Sequence, residues 1–130
     1  MHILFCMVTW NDYFKGILRK TVNSYLILLN LDDKPGDLDI IEKELLKITS
    51  FFNVMINKLD SENYQSKDLL ALKPLLEYYV DTYYFENEIT TISSLYSQDS
   101  NRIKNIRLKI LESFNDKKLM SKIKTIIEEL

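Results

Sequence analysis

Residues 39–60 read DIIEKELLKITSFFNVMINKLD, and the spacing of the apolar side chains in this stretch decides the fold. Ile41, Leu45, Ile48, Phe52, Met55 and Leu59 recur at intervals of four, three, four, three and four. That repeat places all six on one side of a helix and leaves the rest to solvent. A half-buried strand needs alternation at every second residue, which is absent here. Asp39 with Glu42 three positions later has the pattern of a capping box, so the helix is expected to begin there.

Upstream, Phe14, Leu18, Val22, Tyr25 and Leu29 repeat at helical spacing, with Ile17 and Leu26 widening the stripe. A first helix over residues 11–30 follows. Residues 31–36, Leu-Asp-Asp-Lys-Pro-Gly, supply a turn in which Pro35 fixes its own φ and Gly36 accepts a positive one. Downstream, a polar loop spans residues 60–66, Ser66 caps a short turn through Leu72, and Pro74 opens a third helix running to about Ser97. Inside it, residues 78–85 (YYVDTYYF) favour β structure, but Leu76, Val80 and Tyr83 make one helical stripe and Tyr78, Phe85, Ile89, Ile92 and Tyr96 another. Asp99 or Ser100 caps a fourth helix carrying Ile103, Ile106, Ile110, Leu111 and Phe114. Asn115 or Asp116 caps a fifth with Leu119, Ile123, Ile126 and Leu130. The expected fold is all-α, a compact bundle of four to five amphipathic helices, because each stripe can be buried only against another helix.

The chain has 130 residues, which sets the expectation of a single helical domain over 1–130. Its 17 basic and 19 acidic residues leave a net charge of -2, without the basic excess common in nucleic-acid binders. The lone cysteine, Cys6, cannot form an internal disulfide, and that points to a reducing compartment. The apolar run Ile3–Val8 is too short for a signal or a membrane span, so an intracellular, cytoplasmic protein off the membrane is expected. Alanine occurs once, as Ala71, while Ile, Asn, Lys, Leu and Tyr are abundant. This is the coding bias of an AT-rich genome, as in large DNA viruses and some parasites.

Catalytic signatures are missing. His2 is the only histidine, at a terminus, and no G-x-S-x-G elbow or glycine-rich phosphate loop exists. His2 and Cys6 have metal-ligand spacing, but a structural zinc site takes four ligands, so no metal and no cofactor are expected. Glu77, Asp81, Glu86 and Glu88 read as a solvated face, since no Glu-x-x-His motif accompanies them.

Two groups remain as candidate sites. Tyr78, Tyr79, Tyr83 and Tyr84 are too dense for one face to bury, and exposed tyrosines make good partner-binding anchors. The competing reading is that their rings pack in the core with the hydroxyls at its rim. Arg102, Lys104, Arg107 and Lys109, followed by Lys117, Lys118, Lys122 and Lys124, make the last third locally basic, although Glu112, Asp116, Glu128 and Glu129 dilute it. The run Ser94-Leu95-Tyr96 through Asn101–Arg107 resembles the central helix of GINS replication subunits, in which basic and aliphatic residues interleave. The likeness is short and carries no diagnostic motif; it implies an all-helical subunit of a replication complex.

The favoured expectation is a non-enzymatic protein-interaction module that binds a protein partner or itself, of a kind with which a virus or parasite engages a host factor. The alternative is a small helical subunit of a nucleic-acid-processing complex using residues 102–124.

Overall fold

The computed structural model describes the backbone of residues 2–61 and 66–130 and the side chains from Trp10 onward within those ranges. Six α-helices and one 3-10 turn follow in order: α1 (His2–Leu29), α2 (Asp37–Ser61), α3 (Lys67–Thr82), α4 (Glu86–Leu95), α5 (Ser100–Asn115), the turn Asp116–Lys118, and α6 (Leu119–Glu129). There is no strand among the described residues, and the all-α bundle expected from periodicity is present. The side chains of His2, Cys6 and the Ile3–Val8 run, and residues 62–65 of the expected polar loop, lie outside the described set.

α1 and α2 form the main pair. α2 buries Ile41, Leu45, Ile48, Phe52, Met55 and Leu59, the seam read from its sequence. α1 differs from its predicted stripe: Leu26 and Leu29 are 40% and 47% exposed, while Thr21 and Ser24 are buried. Both hydroxyls are satisfied, Thr21 donating to the Ile17 carbonyl at 3.0 Å and Ser24 to Glu44 of α2 at 3.1 Å. Small polar side chains on this face therefore bury at little cost. α2 also carries α3 and α4, and α6 closes the bundle against α1, α3 and α5.

At the centre, Phe52 of α2, Tyr79 of α3 and Phe114 of α5 meet. Tyr79 stacks on Phe114 at 4.8 Å and 13°, and Phe52 meets both rings edge-on. Edge-to-face and offset-stacked rings suit the aromatic quadrupole, so this trio fixes helix spacing as well as excluding water.

α1 extends nine residues further toward the N-terminus than expected, starting at His2 and not at residue 11, and four other boundaries differ from the sequence reading, each for a local reason. α2 starts at Asp37, where the carboxylate accepts the Lys34 amide at 3.0 Å, so Asp39 and Glu42 do not form the expected capping box. Positive φ in the preceding loop falls on Asp33 (65°), and Gly36 has none. Pro74 lies inside α3, which already begins at Lys67 with Ser66 as its cap. The helix expected from Pro74 to Ser97 is broken in two, because Tyr83 turns extended (φ -107°, ψ 128°) and Tyr84 and Phe85 link α3 to α4. The tyrosine-rich stretch is thus helix up to Thr82 and an irregular link beyond it. That break divides the third expected helix into α3 and α4. Asp99 caps α5 as read, accepting the amides of Asn101 and Arg102. α6 instead starts from Lys117 and Lys118, both with positive φ, and Lys118 as N-cap makes no side-chain capping bond.

Candidate functional site

The four tyrosines are separated by the break after α3. Tyr79 is 1% exposed, and its hydroxyl lies 3.1 Å from Ser113 Oγ. Since Ser113 gives its own proton to the Ile110 carbonyl at 2.6 Å, Tyr79 is the donor. Burial pushes the Tyr79 phenol well above its usual range. Tyr78 and Tyr83 are half-buried, and both hydroxyls donate to Asp116 Oδ2, at 3.2 and 2.5 Å. The Asp116 carboxylate, with burial second, pushes the Tyr83 phenol up to about 12, and the Tyr83 hydroxyl in turn holds Asp116 below its ordinary range. Only Tyr84 is largely exposed, at 69%, with its hydroxyl on Glu86 at 2.7 Å. Three of the four rings therefore pack with their hydroxyls inside or at the rim of the core, and they do not form one open aromatic face.

The basic residues of α5 are also divided. Arg107 is buried and faces the opposite side, gripping Asp33 and the carbonyls of Leu28 and Leu29. Arg102 lies 3.6 Å over the Tyr96 ring and 3.4 Å from Asp99. Lys109 pairs with Glu88 of α4 at 3.3 Å. Lys104 is exposed. Arg102 and Lys109 share a face of α5; Arg107 does not join them.

That face of α5 lines a concavity. Between α4 and α5 runs an open groove of about 590 Å³, floored by Ile92 and Ile106, edged by Leu108, and walled by Arg102 and Lys109 on one side and Glu88 and Glu112 among its acids. Lys109 and Glu112 also line a second hollow of about 540 Å³ that continues toward Tyr83, Phe85, Asn115 and Asp116. The two hollows share α5 as one wall, and the Lys109–Glu88 pair spans from α5 to α4 where they meet. The break between α3 and α4 creates the lower hollow, because it swings Phe85 beside Tyr83, their rings parallel within 12° and 6.0 Å apart.

Sequence reasoning singled out Arg102, Lys109 and Tyr83 of this groove. It missed Glu88, Leu108, Glu112 and Asp116 as site residues. Leu108 carried a signal, being a large aliphatic residue off the buried stripe of α5 and 45% exposed. Among the described residues no group of three or more His, Cys, Asp or Glu side chains is placed to hold a metal ion, and no helix is long and apolar enough to cross a membrane.

Fold and concavity together define a class: an all-α bundle with an open, amphipathic groove between two short helices. Compared with known proteins, the chain matches no family model, no curated protein and no solved structure.

Proposed function

We propose that the chain is a non-enzymatic protein-interaction module that seats a segment of a protein partner along the α4–α5 groove. One observation carries this reading: the groove joins an apolar floor, Ile92 and Ile106, to a rim of both charge signs, Arg102 and Lys109 against Glu88 and Glu112, in an open trough of about 590 Å³. Apolar floors with a polar, orienting rim are how helix-in-groove recognition obtains affinity and register together. Leu108 at the edge of the trough is 45% exposed, and Leu95 and Tyr96 at the end of α4 are exposed as well. This reading replaces the tyrosine face with the groove as docking surface and keeps only Tyr83 at its lower end.

Nucleic acid, using residues 102–124, is a weaker fit, because Arg107 is buried on Asp33, Arg102 and Lys109 are paired with carboxylates, and the remaining cations Lys104, Lys117, Lys118, Lys122 and Lys124 stand in a chain of net charge -2. The test is selection of displayed peptides on the intact protein, followed by fluorescence anisotropy of the enriched sequences on the wild type and on Leu108→Asp. Micromolar binding weakened tenfold or more by Leu108→Asp is expected. Failure to enrich any sequence, or binding indifferent to Leu108, removes the proposal. Light scattering behind size exclusion reads the case in which the occupant is a second copy of the chain.

A further inference from the structure

The lower hollow of the groove differs from the upper one in chemistry. Its walls are the parallel rings of Tyr83 and Phe85, and two carboxylates, Glu112 and Asp116, face the same space of about 540 Å³. The single ammonium lining it, that of Lys109, lies 3.3 Å from Glu88, a carboxylate outside this hollow. Lys117, the next cation along the chain, sits over the Tyr78 ring at 3.7 Å. Asp116 remains ionised, held there chiefly by the Tyr83 and Tyr78 hydroxyls. Glu112 makes no ion pair and stays exposed, so its charge is available to an incoming group. An aromatic wall beside the exposed, unpaired carboxylate of Glu112 is what a guanidinium or ammonium needs, since the ring face and the anion both attract the cation while the rings shelter the alkyl stem.

We propose that this hollow is a receiving pocket for a cationic side chain, an arginine or lysine, of the polypeptide segment that occupies the groove. The proposal rests on the groove reading and adds the partner's chemistry: a segment whose apolar residues lie on Ile92 and Ile106 and whose basic residue reaches Glu112. Glu112 supplies the counter-charge, Tyr83 and Phe85 the face, and Asn115 an amide at the rim. Asp116 contributes its field while its Oδ2 remains engaged by the two phenols.

The test needs no partner. Doubly blocked arginine (N-acetyl-arginine methylamide) and blocked lysine are titrated into the isotope-labelled intact protein, with blocked norleucine as the uncharged control, and the resonances of Tyr83, Phe85 and Glu112 are followed. Saturable shifts are expected for arginine and lysine and none for norleucine. Glu112→Gln, at an exposed position that leaves packing untouched, weakens arginine binding about three- to tenfold, and raised salt does the same. Absence of saturable shifts, an equal response to norleucine, or arginine binding unchanged in Glu112→Gln overturns the pocket. Peptide selection that succeeds on the Leu108 surface while blocked arginine fails here would overturn this inference alone and leave the groove reading standing.

Discussion

Arg107 and Asp33, 74 positions apart, are joined by a two-pronged ion pair: Nε to Oδ1 at 2.6 Å and Nη2 to Oδ2 at 3.1 Å. The remaining nitrogen, Nη1, donates to the carbonyls of Leu28 and Leu29 at 3.2 and 3.3 Å. A helix end leaves its last carbonyls without partners and carries partial negative charge, so a guanidinium placed there satisfies both. One side chain of α5 thus fixes the C-terminus of α1 and the α1–α2 loop, whose left-handed residue is Asp33 itself. A residue counted in the sequence as part of a basic patch is a structural clamp.

Removing the clamp costs stability. Arg107 and Asp33 side chains are only 10% and 12% exposed, so truncating one leaves the other charged and poorly solvated. Arg107→Ala is expected to lower unfolding free energy by about 2–4 kcal/mol, with Arg107→Lys intermediate because an ammonium cannot make the fork. Asp33→Ala combines the lost pair with a strained left-handed backbone and is expected to exceed Asp33→Asn, which tolerates positive φ. Urea melts of the four variants check the order.

The Tyr83–Asp116 pair makes stability fall at both ends of the pH scale. The folded phenol titrates at about 12 against an ordinary 10, so its contribution is complete below pH 10 and is lost as pH rises through the folded value. Asp116 is depressed from its ordinary 3.8, so its contribution is complete above that value and is lost as pH falls through the folded one. Thermal melts from pH 2 to 12 on the wild type and on Tyr83→Phe should show a shallower alkaline loss in the variant. Coincident alkaline limbs would contradict the assignment to Tyr83.

Much of the fold was legible because burial is periodic. The α2 seam and the α5 stripe, Ile103, Ile106, Ile110, Leu111 and Phe114, are both fully in the core. The α3–α4 break was not legible, because what holds it is long-range: Tyr83 turns extended to reach Asp116, 33 positions on. Local propensity gives no sign of that bond, nor of Arg107 turning inward to Asp33. The groove was illegible for the same reason, being made by that break and by the docking of α4 on α5. Only its exposed Leu108 stood out against the pattern.

The buried Tyr79 and the exposed Tyr84 should separate in mutagenesis. Tyr79→Phe keeps the stack on Phe114 and loses one buried hydrogen bond, an expected cost of about 1 kcal/mol. Phe114→Ala empties the aromatic centre and is expected to cost about 3–5 kcal/mol. Tyr84→Ala, at an exposed ring, is expected to leave the denaturation midpoint at its wild-type value. Chemical denaturation of the three variants reads these differences directly.

Binding to duplex DNA should be faint and only weakly salt-dependent. Each phosphate neutralised contributes a slope of about -0.9 in log affinity against log salt, and Lys104 alone of the four α5 cations lacks a carboxylate partner. Lys117, Lys118, Lys122 and Lys124 make no ion pair among the described residues either, so engagement of the whole 102–124 region would give a slope of about -4.5, whereas the protein-interaction reading expects no binding at low salt or a slope no steeper than about -2. A slope of about -4 or beyond would restore the nucleic-acid reading.

Pro74 opposes its own helix. It sits in the interior of α3 and has no amide to offer the carbonyl four positions back, Leu70. Proline in a helix interior is about 3 kcal/mol less favourable than alanine, offset by about 0.4–1 kcal/mol because it also restricts the unfolded chain. The ring is exposed, so its replacement empties no cavity. Pro74→Ala is therefore expected to raise stability by about 2–3 kcal/mol while leaving the groove unchanged, since no residue of α3 itself lines it and only Tyr83 and Phe85 of the link to α4 do. A higher urea midpoint at constant slope, with the same affinity for a selected peptide, is the expected result. A loss of stability would mean that the proline fixes a bend the bundle requires.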